Sequence, residues 1–174
     1  MSRNRFVSSA ALVVSGLALA GALLPAAHSI AQRSPLLTGG SASNFGALTL
    51  SGGFTPDPTM REVRSGGTID VGPLSLAPGC TGFVTAQPDI VLHYDSPAEW
   101  VRFFVRSAGD TTLVINDGAG HWHCDDDSGG GTNPMVDLPH PASGQYDIWI
   151  GSYASSSDRH AAQLGITELH NVRP

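Results

Sequence analysis

The chain has 174 residues, with 9 basic side chains, all arginine, against 15 acids, for a formal net charge of -6. An acidic surface of this kind is a poor partner for nucleic acid or anionic lipid, whose phosphates repel carboxylates. Two cysteines are too few for a disulfide-built miniprotein, and a chain of this length buries enough apolar surface to need no such framework.

Arg3 and Arg5 precede an apolar run from Val7 to Leu24, after which small residues gather around Ser29 and Ala31. That is the pattern of a secretory signal peptide, helical, over residues 1–31 with cleavage after Ala31. Ser8, Ser9, Ser15 and Gly16 interrupt the run and no basic flank follows it, which argues against a retained anchor. Cleavage removes both leader arginines, so about 143 residues remain with 7 arginines, 15 acids, a net charge near -8 and no membrane segment. The expected location is periplasmic or extracellular. There Cys80 and Cys124 are expected to pair, and closing a loop of that length stabilises a fold by about 4 kcal/mol in the chain-entropy model.

Residues 32–43 are rich in Ser, Gly, Thr and Pro and read as a flexible lead-in to a domain over residues 44–171. Asn44–Leu50 predicts a short strand, and Gly52–Pro58 (GGFTPDP) predicts turns, because Pro fixes its own φ and Gly supplies positive φ. Met60–Val63, Thr68–Val71 and Gly82–Thr85 are short apolar pieces separated by Ser-Gly-Gly, Pro-Gly and Gln-Pro-Asp, the spacing of an all-β sandwich or barrel. Ile90, Leu92 and Tyr94 share one face of a further strand. In Glu99–Arg106, Val101, Phe103 and Val105 face one way while Arg102 and Arg106 face the other, as in a half-exposed antiparallel strand. Thr111–Asn116 continues through the hairpin connection Asp117-Gly118-Ala119-Gly120 to His121–Cys124. Met135–Leu138, Tyr146–Ile150 and Leu164–Leu169 complete the pattern, with Tyr146, Ile148 and Ile150 on one face. Beyond the leader, no apolar run keeps helical spacing for three turns.

Asp110–Leu113, then Asp126–Gly129, then Pro141, Gly144, Tyr146 and Gly151–Tyr153 follow in an order that is similar to the bacterial pre-peptidase C-terminal domain family. The likeness spans about Ser96–Leu169. It implies an antiparallel, jelly-roll-like β-sandwich of the sort appended to secreted peptidases and found in other exported proteins. It further implies non-catalytic work, the binding of a protein or polysaccharide.

Asp125, Asp126 and Asp127 are adjacent, with Asp117 across the hairpin and Asp110 at the start of the preceding strand. Each close carboxylate pair costs about 1 to 3 kcal/mol. A Ca²⁺ ion, which accepts six to eight oxygens from irregular loops, would offset that cost, and so would screening of a solvated turn by water and salt. His121 and His123 lie at i, i+2 on one strand face, an arrangement that can ligate zinc or copper if His140 or an acid completes the set. Asp127-Ser128-Gly129-Gly130 resembles part of the nucleophile motif of trypsin-like serine peptidases, and Ala26-Ala27-His28-Ser29 resembles their histidine motif. On that alternative Ser128 is the nucleophile. Asp126, however, stands where that family places a glycine of the oxyanion hole, and His28 lies within the leader. Trp100, Trp122, Tyr146, Trp149 and Tyr153 form either a ligand platform or core. Trp149, out of phase with Ile148 and Ile150, is the one whose exposure would matter.

Overall fold

The computed structural model describes residues 34–174. The expected signal peptide and His28 lie outside the described residues. Two sheets pack face to face. The larger contains β1 (Ala47–Ser51), β3 (Ile69–Asp70), β4 (Phe83–Val84), β5 (Ile90–Asp95), β7 (Thr111–Asn116), β8 (Trp122–Asp125) and β10 (Gly144–Ser152). The smaller runs in the order β2 (Thr59–Arg64), β11 (Ala161–Thr167), β6 (Trp100–Ser107) and β9 (Met135–Pro139). The all-β sandwich is as the strand spacing predicts, and the helical content among the described residues is a single 3-10 turn, Gly72–Leu74.

One pairing departs from the expected antiparallel plan: β1 and β5 run parallel, with Thr49 opposite His93. A parallel pair needs a long crossover. Here the chain leaves β1, builds β2 in the other sheet and returns through β3 and β4 before laying down β5.

The core between the sheets comes from the alternating positions. Val101, Phe103 and Val105 of β6 meet Tyr146, Ile148 and Ile150 of β10, with Leu92 and Tyr94 of β5 and Leu113 and Ile115 of β7. Phe103 stacks on Tyr146, and the Tyr146 hydroxyl donates to the Ala142 carbonyl at 2.6 Å, which closes the turn that precedes β10. Gly165 of β11 lies under the Phe104 ring, where a Cβ would fall 2.1 Å from Cζ.

β10 is the middle of the large sheet. It pairs with β7 from Asp147 to Ser152, and on its other side with β5 from Gly144 to Ile148 and with β4 at Ser152. Between the last two lies a gap in the ladder. The Ile150 N–H crosses it to the Asp89 carboxylate at 2.8 Å, and the Ile150 carbonyl accepts from the Gly66 N–H at 2.9 Å.

The outer face of this sheet carries a second apolar cluster, in which Trp149 and Val114 are covered by Leu36, Val71 and Val84, with Trp122 and the Cys80–Cys124 disulfide at its border. Trp149 is therefore fully buried, not a platform, because a layer of loops covers the face that its phase selects. The segment expected as a flexible lead-in belongs to that layer. Leu36 is buried, the Leu37 N–H donates to the Ala86 carbonyl, and the Gly39 N–H donates to Asp147 Oδ2 at 2.7 Å.

The outer face of the small sheet is covered by the C-terminal tail. Arg102, expected at a half-exposed position, is buried there in a two-pronged pair with Asp137, at 2.6 and 2.8 Å. Its Nη1 also donates to the carbonyls of His170 and Val172. Arg106 reaches the Arg173 carbonyl, and Trp100 stacks on His170 at 4.0 Å between centroids.

Candidate functional site

The residues with the most chemistry lie around the β7–β8 hairpin and the turn after β8. Asp117 closes the hairpin. Its Oδ1 accepts from the N–H groups of Ala119 and His121, and its Oδ2 sits 2.8 Å from His123 Nε2 and 3.5 Å from His121 Nδ1. Burial works against ionisation of this carboxyl, but the His123 contact and the two backbone N–H groups hold it below the usual carboxylate range. Both imidazoles thus approach one acid, the hairpin's Asp117, which the i, i+2 spacing alone does not single out. His140 does not join them; it pairs with Glu99 at 2.8 Å on the exposed surface.

The run Asp125-Asp126-Asp127 divides in its roles. Asp125 ends β8 and is turned inward: Oδ2 accepts from the N–H groups of Ser128 and Met135, and Oδ1 accepts from the Ser128 hydroxyl at 2.5 Å. This carboxylate tethers the turn to the start of β9. Asp126 and Asp127 instead line a recess of about 190 Å³ together with Asp110, Gly131, Thr132 and the exposed Tyr153. Partial burial pushes the Asp126 carboxyl up, and the charges of Asp127, Asp125 and Asp110 push it further in the same direction. The five acids singled out in the sequence therefore do not form one set, since Asp117 belongs to the hairpin. One carboxylate oxygen from each of Asp125, Asp126 and Asp127 can nonetheless lie within 4.8 Å of the others.

Ser128 is exposed on the same turn. Its hydroxyl hydrogen bond goes to Asp125, and among the described residues no histidine hydrogen-bonds to it. The Arg173 guanidinium approaches its carbonyl at 3.3 Å, and the ring of Pro174 lies against Gly129, where a Cβ would fall 2.5 Å from Cγ. A nucleophilic serine needs an imidazole base and an oxyanion hole of backbone N–H groups. What surrounds Ser128 is a direct carboxylate contact and the packed end of the tail.

Two buried carboxylates had no sequence signal. Asp89, which precedes β5, accepts from Asn44 Nδ2 and the Ile150 N–H, both at 2.8 Å. Burial pushes its carboxyl up to about 7 despite those two hydrogen bonds. Asp147 sits between core residues Tyr146 and Ile148 but on the outer face, where it receives the Gly39 N–H and Gln145 Nε2. Alternation marks Asp147 as outward, but nothing in the sequence marks that face as covered.

Among the described residues no helix is long and apolar enough to cross a membrane. No protein-family model matches the chain, and no curated protein matches it. Among solved structures it aligns with PliG of Aeromonas hydrophila, a periplasmic lysozyme inhibitor of g-type lysozyme. The alignment has 13% identity and a TM-score of 0.33, and it covers 70% of this chain and 96% of that one. A superposition at that level carries no argument about ligand or activity.

Proposed function

We propose that the protein is an exported, non-catalytic β-sandwich that binds a protein or polysaccharide through the rim bearing the acidic turn, as a module similar to the pre-peptidase C-terminal domains. The observation that carries this reading is the recess of Asp110, Asp126 and Asp127 beside the exposed ring of Tyr153. Crowded carboxylates attract cationic side chains, and an exposed aromatic ring offers a stacking surface for a guanidinium or a sugar. Export is supported by the Cys80–Cys124 bond, since such bonds persist in oxidising compartments. The surroundings of Ser128 favour binding over the peptidase alternative.

The test is a binding screen of basic and neutral exported proteins and of polysaccharides by biolayer interferometry. The ligand found is expected to lose at least about tenfold in affinity to an Asp126→Asn, Asp127→Asn, Tyr153→Ala triple variant, and a protein ligand is expected to weaken with added salt. A ligand that binds the variant unchanged would overturn the assignment of the rim. Labelling of Ser128 by a fluorophosphonate probe would restore the peptidase.

A second reading, stabilisation by Ca²⁺, is favoured by the mutual approach of Asp125, Asp126 and Asp127 and by the upward push on Asp126. Saturating Ca²⁺ is then expected to raise Tm by about 5 °C. Asp126→Asn with Asp127→Asn should abolish the rise, and a Tm unmoved by Ca²⁺ in the unmutated protein ends this reading.

A further inference from the structure

The outermost strands of the two sheets are guarded unequally. β2 shows exposed Arg61, Glu62 and Arg64. β9 carries exposed Asp137 and ends in Pro139, β8 runs into the three acids, and β3 is only two residues long with exposed Asp70. Charge, proline and shortness are the usual means by which an edge is kept from pairing with another chain. β1, read ALTLS, has none of them except modest length, and no ionisable side chain occurs between Asn44 and Gly53.

The orientation of its backbone follows from its neighbours. The Gly46 carbonyl accepts from the Val91 N–H, and the Gly52 N–H donates to the Ser96 carbonyl, so the even-numbered residues turn their backbone groups toward β5. Ala47, Thr49 and Ser51 therefore turn theirs outward, and among the described residues no strand pairs with that side. Their side chains are exposed and small, while Leu48 is buried in the core and Leu50 packs against it, which fixes the face that β1 turns inward.

We propose that β1 is a self-association edge, joined antiparallel to β1 of a second copy about a two-fold axis at Thr49. This surface is separate from the acidic rim and does not depend on the binding function proposed for it. The two-fold places Ala47 opposite Ser51 and Thr49 opposite itself, so each outward N–H meets an outward carbonyl, and about six backbone hydrogen bonds form. No like charges meet across the seam of an otherwise acidic chain. An interface of this size is small, so the expected dissociation constant is on the order of 10 to 100 μM.

Sedimentation velocity of the purified protein, from about 1 to 200 μM, is expected to show a monomer–dimer equilibrium in that range. Thr49→Pro should raise the dissociation constant at least tenfold with the fold intact, because the N–H it removes points away from β5. Thr49→Lys should do the same by setting like charges opposite each other, and mixing it with Thr49→Glu should recover a heterodimer. Should Thr49→Pro fail to fold, the Lys and Glu pair decides the matter. A protein monomeric across the whole range, or a dimer that survives both Thr49→Pro and Thr49→Lys, overturns the proposal.

Discussion

The outer faces of the two sheets are each covered in part by one end of the described chain, and the two ends are held by opposite means. On the large sheet the N-terminal segment brings the Gly39 N–H and the Asn44 amide to buried carboxylates, Asp147 and Asp89, beside an apolar layer centred on Trp149 that residues 69–84 also cover. On the small sheet the C-terminal tail brings carbonyls to arginines, Arg102 and Arg106, with little apolar contact beyond Trp100 on His170. The difference is one of depth. A cover several residues thick can bury a tryptophan and two acids, whereas a single strip of chain relies on the long reach and many donors of guanidinium groups.

That contrast predicts unequal responses to mutation. Trp149→Ala should be the most damaging, at about 3 to 5 kcal/mol in chemical denaturation, because it opens a cavity under a closed layer. A loss below about 1 kcal/mol would show that the loop layer is not packed on the sheet. Arg102→Ala should cost about 2 to 3 kcal/mol, leaving Asp137 half exposed and able to regain water. The same variant should speed amide exchange of residues 170–173 selectively, and uniform exchange along the chain would mean that the tail is held by something else.

The smallest effect concerns Asp89. Its folded carboxyl titrates near 7 instead of the ordinary 3.8, so folding favours the protonated form. Stability from this group is complete below about pH 4 and is lost as the pH rises through about 7. Asp89→Asn, which cannot titrate, should show a smaller fall in Tm between pH 5 and pH 8 than the unmutated protein, by a few degrees. Parallel pH profiles for the two proteins would remove Asp89 as the cause.

The same contrast marks what can be read from the residues alone. Strands whose one face meets the other sheet are legible, because Val101, Phe103 and Val105, or Tyr146, Ile148 and Ile150, alternate with a period of two. The fate of the second face is not, since it depends on which distant loop comes to rest there. Arg102 and Trp149 both sit at outward positions, and both are buried by segments far from them in sequence. A Ser, Gly and Thr composition likewise conceals that Gly39 is tied to Asp147, 108 residues later. At the rim, three consecutive aspartates look equivalent in sequence. A strand end turns Asp125 inward to bind backbone N–H groups and leaves Asp126 and Asp127 facing the recess.

The order of the small sheet has a consequence for synthesis. β11, the last strand among the described residues, lies between β2 and β6, and Gln163 pairs with Glu62 across 101 positions. Among the described residues β2 pairs with no other strand, so the four-stranded sheet cannot be completed on a ribosome-bound fragment that stops before Ala161. A fragment that stops there keeps the β6–β9 pair but leaves β2 detached from it until Ala161–Thr167 has been made.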